Sequence, residues 1–444
     1  MKDSIDFGKE NVGRLFRKML LPTVMSTVCT ALFCISDGIF VGHGIGSDAL
    51  AAVNIVVPLW LFATGVGLMF GMGASVLAAI HLSNGKLKVA RIIITQAVIV
   101  SSAFLIIFSL ITSLFASKTV AILGASPQLT PLAVDYLIGF IPFSATNALL
   151  CSGGFFIRLD GSPRYAMACS MVAAVINIIL DYLFIFPFGW GIFGAAIATS
   201  IGTVVGCVMI LIYLFNPRHK LHFIRFKSSW NSIKLTMRNT WYVCKLGVSS
   251  FLNETANSCM MLCGNLVMMK INGNDGVAAW SIICYFYPIV FMIYNAIGLS
   301  AQPIISYNYG RDDSLRIRKA SMLALKTSVS CGILLFILTV LFSHEIPLLF
   351  VSSTTQAYRF AVNGLPIFAI GFIFFAVSMT AISYFQSVKK AKNAILITVM
   401  RGFVFLIICF TVMPMIFGEV GAWLAVPAAD VLTTVIVAII YFRR

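Results

Sequence analysis

"RYAMACSMVAAVINIILDYLFIF", residues 164–186, is an apolar run broken by two polar residues, Asn177 and Asp181. An α-helix needs about 20 residues to cross the hydrocarbon core of a bilayer, so this run is long enough to span. The two polar side chains are four residues apart and stand one above the other on one helical face. A carboxylate inside such a span costs about 2.5–3.5 kcal/mol on insertion scales, so it must face protein, water or an ion. Two readings are open: an Asn–Asp hydrogen-bond pair that glues helices, or an ion or proton site.

The rest of the chain has the same character. Of its 444 residues 60% are hydrophobic and 10% charged, and the mean hydropathy is +0.98. A soluble domain of this length would have to cover its surface with core residues, so the class is a polytopic membrane protein. The cysteines lie almost wholly inside apolar segments, without CxxC pairs or histidine partners, and read as soft packing residues. The first residues, "MKDSIDFGKENVGRLFRK", carry three acids and are followed by no cleavage signature. They read as an amphipathic lead-in to a retained helix, not a signal peptide.

Hydropathy gives twelve spans, at about 19–41, 48–81, 92–116, 131–157, 164–187, 192–215, 242–269, 275–308, 321–343, 358–386, 394–416 and 421–442. With both termini placed in the cytoplasm, 26 of the 31 basic residues fall inside and only Lys118, Lys270 and Arg359 outside. The positive-inside rule is thus obeyed throughout. The net charge of +16 orients the chain in its bilayer and calls for no nucleic-acid partner.

The two halves repeat. "SDALAAV" at 47–53 returns as "NDGVAAW" at 274–280, and "GIFGAAIA" at 191–198 returns as "GEVGAWLA" at 418–425, both at an offset of 227. Six spans per half is an even number, so the halves form a parallel repeat, the arrangement of transporters that hold substrate at the repeat interface. The expected fold is all-α. Residues 1–215 form one six-helix bundle, 216–241 a basic cytoplasmic linker, and 242–444 the second bundle. Gly65, Gly67, Gly71 and Gly73 on the second span read as a close-packing face.

The acids within spans are Asp37, Asp135, Asp181, Glu254 and Asp430. Counting from the outer helix ends at 1.5 Å per residue, Asp37, Asn177, Asp181 and Thr199 fall at one level, roughly 7–12 Å deep. Their counterparts at the 227 offset are Gly264, Val404, Ile408 and Val426, so the fold itself does not require the polar group. Two carboxylates, an amide oxygen and a hydroxyl are hard donors suited to a small alkali cation and not to a transition metal. Without a cation two close carboxylates cannot both stay ionised, so the same site can carry a proton. No cofactor is expected beyond Na⁺ or H⁺ as coupling ion, and no metal beyond Na⁺.

Three segments give the chain a resemblance to a family: "SDGIFVGHGIGSDALAAV" at 36–53, "NIILDYLFI" at 177–185 and "GIFGAAIATSIG" at 191–202, with Pro22 fifteen residues before Asp37. They resemble the multidrug and toxic compound extrusion (MATE) transporters, over all twelve spans. The resemblance implies two six-helix bundles forming a V around a central cavity. It also implies Na⁺- or H⁺-driven export of organic cations across the plasma membrane (the inner membrane of a bacterium). It carries the cation site to Asp37, Asn177, Asp181 and Thr199, and a bending kink of the first helix to Pro22. Glu254 lies near mid-membrane in "FLNETANS" and is a candidate to bind a cationic drug or a second proton; its bland alternative is a helix contact with Asn253 or Asn257. Tyr294 and Gln302 are weaker cavity candidates. Span ten, 358–386, contains no acid, which argues against a cation site in the second half. The chain is expected to act as a monomer.

The rival of the same architecture, a lipid-linked oligosaccharide flippase, would want intramembrane basic residues. Only Lys326 and Arg401 are available, against five acids. An intramembrane aspartyl protease lacks its GxGD, and a channel lacks a filter loop, so no enzymatic activity is expected.

Overall fold

The computed structural model describes residues 5–225 and 229–442; among them the regular structure is helical, with no strand. Six helices make up the first half: α1 Val12–Gly44, α2 Ser47–Ser83, α3 Leu87–Leu114, α4 Thr130–Leu159, α5 Pro163–Ile185 and α6 Gly191–Phe215. Asn11 caps α1, its Oδ1 accepting from the amides of Gly13 at 2.9 Å and Arg14 at 3.3 Å. That satisfies two of the amides a helix start leaves orphaned. Within α4 the ladder tightens to a 3₁₀ turn, Ile141–Phe143, where Pro142 cannot donate.

The second half begins with a continuous helical stretch, Trp230–Tyr309, interrupted at one residue, Gly273 (φ 61°, ψ −146°). This break divides it into α7 (230–272) and α8 (274–309). Then come α9 Ser314–Leu341 and α10, whose pieces Gln356–Ala369 and Gly371–Ser387 meet at 45°. Next, α11 starts as Ala391–Val399, passes through a π-helical turn at Met400–Val404, and continues to Gly418 (φ 58°, ψ −131°). Beyond that glycine α12 runs over 419–442. The described residues therefore contain the twelve long helices that hydropathy predicts, and exposed Ile106, Ile107, Leu110 and Leu114 give α3 an apolar face suited to lipid.

The internal repeat is written in the backbone as well as in the sequence. Left-handed residues recur in pairs: Gly46 and Gly273, Gly85 and Asp312, Gly161 and Lys389, Gly191 and Gly418. The spacings are 227, 227, 228 and 227 residues. A positive φ is costly for any residue with a Cβ, so four matched sites mark the same turns built twice.

The chain divides into two compact units, Met1–Phe251 with Ser306–Asp313, and Leu252–Ile305 with Ser314–Arg444. In the first, the glycines of α2 are a packing stripe. A Cβ on Gly67 would lie 2.7 Å from the Ala148 backbone and one on Gly71 2.8 Å from Ser152 Cα, both on α4. In the second, Trp280 and Trp423 are fully buried with ring centroids 5.7 Å apart, and Phe368 and Phe410 meet Trp280 edge-on. Gly264 lies directly beneath Trp280, where a Cβ would come within 2.0 Å of the indole. Lipid tails are as apolar as this core, so in a bilayer such contacts stabilise through close van der Waals fit rather than hydrophobic transfer. The ten described cysteines are free thiols.

A buried polar site in the first half

The site is built where α1, α5 and α6 meet. Gly44 lets the end of α1 lie against α5, since a Cβ there would sit 2.4 Å from Ile185. Gly202 does the same for α6, where a Cβ would sit 2.7 Å from the Ala173 carbonyl and 3.1 Å from the Cβ of Asn177. These approaches bring α1 and α6 onto the face of α5 that carries Asn177 and Asp181.

Asn177, Asp181 and Thr199 are fully buried, at 1%, 0% and 2% exposure, and Asp37 is partly buried. The Asn177 amide donates to Thr199 Oγ1 at 3.2 Å, which turns its carbonyl oxygen away from that bond. Four buried oxygens have no hydrogen-bond partner: Asp37 Oδ1, Asn177 Oδ1, and Oδ1 and Oδ2 of Asp181. Asp37 lies on α1, the helix that packs along α5, which carries Asp181. Each buried acceptor left unmade costs about 1–3 kcal/mol, more when charged. Four unpartnered acceptor oxygens, three of them on carboxylates, beside only the Asn177 amide and the Thr199 hydroxyl as donors, fit what supplies positive charge, a hard cation or a proton. No cluster of three His, Cys, Asp or Glu suited to a metal occurs among the described residues.

The remaining sequence candidates fall in different places. Pro22 is buried within α1, which runs unbroken, and its missing N–H leaves the Lys18 carbonyl without a helical partner. Asn253 is buried with its Oδ1 unpartnered, and Glu254 is half-buried beside it on α7. Tyr294 is buried and donates to the Phe372 carbonyl at 2.8 Å, while stacking edge-on against Phe375. Gln302 is buried on α8. Asp135 is exposed on α4.

Sequence reasoning missed a second buried polar group, in the second half. Arg401 Nε donates to Asp430 Oδ1 at 2.8 Å, and Nη2 donates to the Tyr287 hydroxyl. The guanidinium lies over the Phe375 ring, 3.9 Å from its centroid. A small cavity beside it is lined by Asn257, Tyr287, Arg401 and Asp430 with Ala256 and Met260. The two charges lie 29 residues apart on different helices. The one available signal was that α11 and α12 each carry a lone intramembrane charge of opposite sign.

A family model described as MatE matches the chain twice, over residues 22–183 and 250–412. The chain is 23% identical to the multidrug export protein MepA of Staphylococcus aureus, covering 99% of this chain and 95% of that one. It is 25% identical to an FAD transporter of Shewanella oneidensis, covering 79% and 77% respectively. Among solved structures, an outward-facing multidrug resistance MATE family transporter of the MOP superfamily superposes with a TM-score of 0.89 at 19% identity, over 97% of this chain and 95% of that one. A Vibrio cholerae MATE transporter, VcmN, does so with 0.89 at 20% identity, over 97% and 96%.

Proposed function

The chain belongs to the MATE family of transporters, and from that premise we propose that it is a secondary active antiporter that exports small organic cations in exchange for Na⁺, with protons able to compete. The observation that carries this reading is the set of unpartnered oxygens on Asp37, Asn177 and Asp181, beside the Thr199 hydroxyl. Four hard-oxygen side chains on three helices suit a dehydrated Na⁺ better than a shuttled proton, which needs one carboxylate. Loading the site neutralises buried charge and draws α1 towards α5 and α6. Emptying it removes that attraction, and α1, weakened at Pro22, is the element free to respond. Glu254, half-buried on α7, would attract the positive charge of a cargo in the second half.

The basic residues, concentrated on one side in the topology derived above, support an orientation in a plasma membrane with both termini in the cytoplasm. The chain would work as a single copy, each chain carrying its own site. The flippase alternative is not favoured: of the two intramembrane cations, Lys326 is exposed on α9 and Arg401 is neutralised by Asp430.

The test uses proteoliposomes loaded with ethidium, an organic cation, under imposed Na⁺ or pH gradients. Efflux driven by a Na⁺ gradient at equal pH is expected. Efflux that ignores Na⁺ and follows the pH gradient alone would make H⁺ the coupling ion, with Asp37 and Asp181 sharing it.

A further inference from the structure

The buried group in the second half occupies the same slot of the repeat as the site in the first. Asp37, Asn177 and Thr199 lie on α1, α5 and α6; the lining of the second-half cavity comes from α7, α11 and α12, with Tyr287 from α8. At the offset of 227, Asp430 corresponds to Thr203, one turn beyond Thr199 on α6. Arg401 corresponds to Ala174 (Ala173 at the local offset of 228), about one turn before Asn177 on α5. Met260 corresponds to Phe33, one turn before Asp37 on α1. Helices α1 and α5 run one way and α6 the other, so all three shifts point to the same level. It lies one turn further along one interhelical slot.

At the level of Asp37 itself the second half is sealed. The counterpart is Gly264, and Trp280 fills the space a side chain would have taken. One turn further on, the slot opens into the cavity, and there a carboxylate is met by a guanidinium. That cation is held on three sides: by Asp430, by the Tyr287 hydroxyl and by the face of Phe375. Tyr287 itself stacks on Phe375 at 5.2 Å. The π-helical turn Met400–Val404 sits at this point, with Gly402 so close to α7 that a Cβ would meet Ala256 at 2.4 Å. Such single-turn insertions re-aim a side chain and often mark functional positions.

We propose that Arg401 is a tethered cation: its guanidinium takes, in the second half, the place that an exchangeable monovalent cation takes in the first. One half of the repeat then exchanges an ion and the other carries its own. The inference rests on the first-half cation reading. It adds that the chain couples to one cation and that Asp430 with Asn257 and Tyr287 forms a latent cation site. Asp430 supplies a carboxylate, Asn257 an amide oxygen and Tyr287 a hydroxyl, the same donor classes as in the first half. A guanidinium is never deprotonated in a protein, so the site stays filled through the cycle.

The experiment counts cations on the purified full-length protein in detergent. Radiolabelled Na⁺ is measured by equilibrium dialysis, and carboxyl protonation by the carboxylic C=O band in infrared difference spectra. The wild type is expected to bind one cation per chain, Asp181→Asn none, and Arg401→Gln two. Asp181→Asn combined with Arg401→Gln is expected to bind one, at Asp430. The two readouts tell whether the new occupant is Na⁺ or a proton; either supports the proposal. Arg401→Gln with no additional cation by either readout would overturn it. If the wild type binds none while Arg401→Gln gains one, the first-half reading fails, and with it the parallel to an exchanged ion, while the latent cation site at Asp430 stands. Should Arg401→Gln not fold, Asp430→Asn and the paired Arg401→Gln/Asp430→Asn variant decide. Each must keep the wild-type count, and loss of a cation from either overturns the proposal.

Discussion

Asp181→Asn separates an ion site from a helix contact by the sign of its effect on stability. Asp181 is wholly buried and neither of its carboxylate oxygens has a partner. A buried charge left uncompensated costs about 3–5 kcal/mol. The amide that replaces it is neutral and, with its groups unmatched, costs about 1–3 kcal/mol. In cation-free buffer alkaline enough to keep both carboxylates ionised, the variant should therefore be the more stable protein by about 2 kcal/mol, the difference of those ranges. At about 1 °C per kcal/mol for a chain of 444 residues, that raises Tm by roughly 2 °C. Adding Na⁺ reverses the order. At a hundred times its Kd the ion stabilises the wild type by about 2.7 kcal/mol through linkage, and the variant not at all. The assay is intrinsic tryptophan fluorescence during heating in detergent, with Na⁺ against choline at several pH values. Ethidium efflux is measured in parallel and should be lost in the variant. Acidification should shrink the Na⁺-dependent rise in the wild type, because a proton fills the same place. A variant that is less stable than wild type without Na⁺, and still gains stability with it, would refute the reasoning and make Asp181 a helix contact.

Thr199→Val removes the acceptor of the Asn177 amide and one ligand, so Na⁺ affinity should fall about tenfold, the equivalent of about 1.4 kcal/mol, read as the Na⁺ dependence of efflux. Glu254→Gln should weaken export of a monocation while sparing a neutral dye, and equal loss of both would make Glu254 structural. Gly264→Ala drives a methyl to 2.0 Å from Trp280, so overpacking should cost about 1–3 kcal/mol, visible as a lower Tm. Asp160, between α4 and α5, accepts from Tyr213 at 2.7 Å and the Leu221 amide at 2.7 Å, and burial holds its carboxyl above the ordinary aspartate range. A raised folded value favours the protonated form. Its contribution is therefore fully present below about 3.9 and is lost as pH rises through the folded value. The Tm of wild type relative to Asp160→Asn should accordingly increase on acidification from neutral, and a flat difference would remove Asp160 as the source.

Much of the first-half site could be read from the chain alone. A carboxylate inside an apolar run is expensive wherever the helix faces, so Asp37 and Asp181 stand out without knowledge of their neighbours. Counting rise per residue from the helix ends gave their common level, because depth along a straight helix is a one-dimensional property. The repeat was legible because two segments return at one offset of 227, and the structure shows left-handed Gly46, Gly191, Gly273 and Gly418 keeping that spacing at its turns. The same counting failed for the second half. The counterparts of the four site residues are apolar or glycine, which argued against a cation site at that level of the second half, while Arg401 and Asp430 were one turn away from the level inspected.

Composition and periodicity determined that this is a twelve-helix membrane protein built as a repeat, because bilayer thickness and the 3.6-residue turn act on each segment separately. What meets across helices was decided only by the tertiary structure. Gly44 and Gly202 bring α1 and α6 against α5, leaving the oxygens of Asp37, Asn177 and Asp181 without donors. Trp280 seals the equivalent space over Gly264, and a π-helical turn carries Arg401 to Asp430. The reason is that such pairings depend on the rotation and close approach of neighbouring helices. Those are set by the fit of all their side chains at once, not by any one stretch.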